Sequence, residues 1–147
     1  MVWKVNSMKR VLVRILADAV VWSNAGGIVG RGVLLDYVAY AKRHNINYDP
    51  TDKFTFSEKD LDKIAEESNI TFRNGDILLV RSGYVGWHDN ASHEERLAGA
   101  KKQGFGGLDT TPASREWLWN HHFAAVAGDS PGFEAMPPNG DFFMVGW

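Results

Sequence analysis

The chain has 147 residues, 44% of them hydrophobic, with six tryptophans and a formal net charge of -2. That length suits one compact domain burying about two-thirds of its unfolded surface, and the apolar content excludes a disordered chain. The charge gives no electrostatic reason to expect nucleic acid or an anionic membrane as partner. Cysteine is absent, which excludes disulfides, zinc ribbons and thiol nucleophiles, so any metal must be held by His, Asp or Glu.

The opening MVWKVNSMKRVLVRILADAVVW superficially resembles a leader, but Arg14 and Asp18 interrupt its apolar run. The run is also short of the ~20 apolar residues of a membrane span, so the expected location is cytoplasmic. Met8, Val11, Leu12, Ile15, Leu16, Ala19 and Val20 recur at intervals of three and four, which predicts an amphipathic helix over Val5–Trp22. A turn is expected at Asn24-Ala-Gly-Gly, followed by a buried strand over Gly27–Asp36 and a short helix over Tyr37–His44.

Residues 47–55 read as loop. Ser57, with Asp60 three positions on, is placed to cap a helix whose buried stripe is Leu61, Ile64 and Ala65. Asn74-Gly75 turns the chain into the aliphatic run Asp76–Ser82, expected as a central strand covered on both faces. Tyr84–Asn90 reads as an aromatic loop, Ser92 as the cap of a charged helix ending near Lys102, and Gly104–Leu108 as a glycine-rich segment without phosphate-loop spacing. Pro112 suits the first turn of a helix to about His121, and Phe123–Ala127 a final short strand. Alternating strands and helices predict an α/β fold with a mixed or mostly parallel sheet, and no linker marks a domain boundary.

The stretch WLWNHHFAAVAGDSPGFE, Trp117–Glu134, gathers the candidate chemistry. In the plainest reading His121 and His122 are helix-end histidines near the last carbonyls. In the functional reading, the seven residues from Gly128, through the turn Ser130-Pro-Gly, return Glu134 beside His122. Imidazole and carboxylate suit Zn²⁺ or Mn²⁺, but two ligands do not close a site. Asp129 either caps the turn or supports a ligating histidine. His44, His88 and His93 form no ligand pattern and read as surface residues. Ser82-Gly83 lacks the GxSxG elbow, so a serine hydrolase has no support. Trp117 and Trp119 flank Leu118 and cannot share one helix face, so one of them is expected at an interface or pocket. Asn69-Ile-Thr and Asn90-Ala-Ser match the glycosylation pattern, which is silent in the cytosol.

Three blocks, GIVGRGVLLDY at Gly27–Tyr37, GDILLVRSG at Gly75–Gly83 and REWLWNHHFAAVAGDSPGFEA at Arg115–Ala135, resemble the putative cyclase family. This family of metal-dependent hydrolases includes bacterial kynurenine formamidase and isatin hydrolase. The resemblance implies a swivelling β/β/α fold, incomplete here, with 1–25 a divergent N-terminal helix and 26–147 a partial cyclase-like domain. Relatives in the formamidase branch hold two metal ions, usually zinc, through an upstream His-x-Gly-Thr-His-x-Asp motif and a downstream His and Glu twelve residues apart. His122 and Glu134 have that spacing and are carried over as metal ligands for Zn or Mn. The upstream motif does not occur in this sequence, so no catalytic residue is assigned. The implied activity is arylformamidase-like hydrolysis of an amide or ring C–N bond in a small molecule, as in tryptophan catabolism through kynurenine, weak or absent in this chain alone. Homo-oligomeric assembly is implied as well. The alternative is a non-catalytic binding or interaction protein on a remnant of the same fold.

Overall fold

The computed structural model describes Val21 and residues 23–139. The chain divides into two compact units, Met1–Gly30 and Arg31–Trp147. The helix expected over Val5–Trp22 lies outside the described residues except for Val21, which is helical. In the first unit the expected turn is present, with Ala25 N donating to Val21 O and both Gly26 and Gly27 at positive φ, a conformation that suits glycine.

The second unit is mixed α/β and built on parallel pairing. Its elements are β1 (Gly32–Asp36), α1 (Tyr37–Arg43), β2 (Thr55–Phe56), α2 (Glu58–Glu67), β3 (Ile77–Arg81), α3 (Tyr84–Asn90), α4 (His93–Lys101), β4 (Gly107–Leu108), α5 (Pro112–Asn120) and β5 (Ala125–Gly128). One sheet has the order β1-β3-β5 and a smaller one pairs β2 with β4, with every pairing parallel.

Local chemistry accounts for the helix starts. Asp36 accepts from Ala39 N at 2.9 Å and so begins α1 at the exit of β1. Ser57 and Asp60 form a reciprocal capping box at α2, and Ser92 with Glu95 forms another at α4. The strand expected from Gly27 begins only at Gly32. Its sheet partner β3 starts at Ile77, whose N–H donates to Arg31 O, so no earlier residue has a ladder to join.

Burial along β1 and β3 alternates. Val33, Leu35, Leu78 and Val80 face inward, where α1 packs on β3 and α2 packs on β1 and α5. Leu34 and Leu79 point the other way and are 53% and 37% exposed. β3 is central as expected, but its second face is not covered among the described residues. A continuous aliphatic run conceals this, because it lacks the polar alternation that normally marks a half-buried strand. Leu78→Ala should therefore cost about 2–5 kcal/mol in urea unfolding, and Leu79→Ala under about 1 kcal/mol. Equal losses would mean that the outer face is packed too.

Two further expectations change. Residues 84–90 form a helix rather than a loop, entered from Gly83 at φ 96° and closed by Ala91 N donating to Trp87 O at 2.9 Å. β5 begins two residues later than expected and is largely exposed, because among the described residues it pairs only with β3. No described helix is long and apolar enough to cross a membrane.

Candidate functional site

The histidine pair is set by how α5 ends. Thr111 caps the helix start through its hydroxyl, Pro112 occupies the first turn, and Trp117 and Leu118 are buried. Trp117 Nε1 donates to Asp62 Oδ1 at 2.8 Å, tying α5 to α2, whereas Trp119 is 64% exposed. The two tryptophans thus separate as their spacing requires.

His121 closes the helix as a packed residue. Its Nδ1 lies 2.8 Å from Trp117 O, and its ring stacks on Phe123 while meeting Phe72 edge-on. His122 follows in the left-handed region at φ 50°, its carbonyl accepting from Gly75 N at 2.8 Å. Its imidazole is exposed beside a hollow of about 250 Å³ formed with Leu118, Trp119 and Phe123.

Glu134 is placed by the small sheet. Beyond β5 the chain crosses to the small sheet, where Phe133 O accepts from Leu108 N and Ala135 N donates to Leu108 O, both at 3.0 Å, so Glu134 pairs with Leu108. Leu108 precedes the N-terminal end of α5 and His122 follows its C-terminal end. The nine-residue helix α5 thus separates Leu108 from His122 along the chain. Among the described residues no group of three or more His, Asp or Glu could hold a metal ion. His122 and Glu134 have suitable donor chemistry, but the described residues alone do not fit a zinc or manganese ion.

Asp129 takes neither expected role. Its carboxylate accepts from Ser82 N, from Ser82 Oγ at 2.7 Å and from Gly83 N at 2.9 Å, joining the end of β5 to the β3–α3 junction. Tyr48 Oη donates to Ser82 O at 2.9 Å, and burial, with Tyr37 beside it, pushes the Tyr48 phenol up to about 12. Ser82 is buried and its hydroxyl is bonded to a carboxylate, with no histidine in contact, so no nucleophilic triad forms.

The remaining histidines are at the surface, as expected. His44 Nε2 lies 2.6 Å from Glu67, whose carboxyl Arg43 and then His44 hold below its ordinary range. His88 lies 3.6 Å from Asp89, and His93 begins α4.

Sequence reasoning missed one feature, a crevice of about 480 Å³ at the carboxyl ends of the parallel strands. Its walls include Leu34, Leu79, Val85, Ala127, Arg81 and Asp129. The available signal was the step from aliphatic to charged at Leu79-Val80-Arg81, since ligands in open α/β sheets gather at strand carboxyl ends.

The model of the family described as Putative cyclase matches residues 16–135. The chain belongs to the cyclase family. The matched span starts upstream of Gly26 and ends at Ala135, the last residue of the third block. The crystal structure of a novel cyclase is similar to this chain. It is 26% identical, with a TM-score of 0.60, and the match covers 74% of this chain and 34% of that one. The chain therefore spans about a third of that cyclase's length. No curated protein matches.

Proposed function

We propose that this cyclase-family chain contributes to metal-dependent hydrolysis of an amide or ring C–N bond, arylformamidase-like, within a swivelling β/β/α fold. Family membership over 16–135 carries the reading, and the His122–Glu134 spacing supports it. The proposed ion is zinc or manganese, the substrate a small amide or cyclic amide, the location cytoplasmic and the assembly homo-oligomeric. Because the described donors do not cluster, the ion would need ligands beyond them, and no catalytic step is derived from these residues.

The alternative is a non-catalytic binding or interaction protein on a remnant of the same fold. Metal analysis and hydrolysis separate the readings. The purified chain, loaded with Zn²⁺ or Mn²⁺, is assayed on N-formylkynurenine against a His122→Asn variant. Asparagine removes the imidazole and tolerates the left-handed backbone at 122, so strain does not confuse the comparison. The expected result is no excess hydrolysis by this chain alone. Stoichiometric metal that is lost in Glu134→Ala supports a hydrolase completed by further ligands, and a metal-free protein supports the binding role.

A further inference from the structure

The geometry points to the crevice at the carboxyl ends of β1, β3 and β5 as a binding site for a small carboxylate with an apolar body. The inference holds under either reading of function, because it requires the ligand to be held and not transformed.

Parallel register builds the floor. Leu34, Leu79 and Ala127 are Cα partners across the three strands, so their side chains emerge on the same face, opposite the helices. Val85, from the first turn of α3, adds an apolar wall. The volume of about 480 Å³ falls in the range of small-molecule pockets, which are mostly apolar with a few placed polar groups.

Arg81 supplies the polar group. It lies two residues beyond Leu79, on the same face, and its side chain is half exposed. Its register partner Asp36 accepts from Nη1 at 2.9 Å, while the other Asp36 oxygen caps α1. Among the described residues that bond alone positions the guanidinium, and it leaves Nε and Nη2, the pair of N–H groups that meets a carboxylate side-on in two parallel bonds. Asp129 lines the same crevice, but its oxygens are engaged by Ser82 and Gly83, with the backbone N–H groups at the start of α3 offsetting its charge. An apolar floor with one anchored guanidinium selects an aryl or alkyl carboxylate over the neutral amide of equal shape.

Gly86 allows a clean test. It lines the crevice, and a Cβ built there meets nothing within 4 Å, so a side chain can begin there without a clash at Cβ. The full chain, ¹³C-labelled at Leu and Val methyls, is titrated with 3-phenylpropionate and, separately, with 3-phenylpropanamide. Expected are shifts centred on Leu34, Leu79 and Val85, and binding about tenfold weaker for the amide and for Arg81→Gln. Gly86→Trp should abolish binding without lowering the melting temperature. Absence of binding, equal affinity for acid and amide, undiminished affinity in Arg81→Gln, or shifts centred on Leu118 beside His122 would each overturn the assignment.

Discussion

Replacing Asp129 with alanine should lower the unfolding free energy by about 3 kcal/mol or more and the melting temperature by roughly 10 °C. The carboxylate satisfies two backbone N–H groups and one hydroxyl where Ser82 is only 3% exposed, and water cannot replace it fully. Gly83 adds to the cost. It sits at φ 96°, where a Cβ would lie 3.0 Å from Val38, so the junction has little freedom to find other partners. Asp129→Asn keeps the shape but turns an amide toward the donors, and should lose about half as much. Urea unfolding measures both, and an alanine variant within about 1 kcal/mol of the parent would show that the carboxylate does not hold this junction.

Gly107→Ala is expected to be comparably severe, at about 3 kcal/mol, for a steric reason. A Cβ at this position would lie 2.5 Å from Glu134 C, 2.6 Å from Ala135 N and 2.7 Å from Phe133 O, all backbone atoms. Relieving the clash requires breaking the Leu108 bonds to Phe133 and Ala135, which also place Glu134. Gly86→Ala is the control. It meets no atom and improves the helix propensity of α3, so it should be neutral or stabilising by up to about 1 kcal/mol. Similar destabilisation in the two variants would refute close backbone approach as the cause.

The features legible in the sequence are those decided within a few residues. Ser57 with Asp60, and Pro112 after Thr111, announce helices because a cap acts on the next turn. β1 and β3 were visible as aliphatic runs between turns. The open face of β3 was not, since Leu78 and Leu79 are the same residue type and only the packed structure distinguishes them. α3 was missed because Tyr84, Val85 and Trp87 give no helical stripe and none of its residues is buried. Asp129 bonds to residues 46 and 47 positions away, beyond the reach of local reasoning. For His122 and Glu134 the chain length permits a return along β5. The backbone pairing around Glu134 instead goes to Leu108, a partner that the two-residue strand β4 hardly signals.

The parallel sheet also governs how the chain acquires its structure. β1 and β3 pair residues about 45 positions apart, and β3 and β5 are similarly distant, so each ladder closes a long loop before it returns any bonding energy. During synthesis β1 emerges first and waits through α1, β2 and α2 with both edges unsatisfied. Its central strand partner then waits in turn for β5. The interval between making a strand and pairing it is when such a chain is most open to joining another copy of itself.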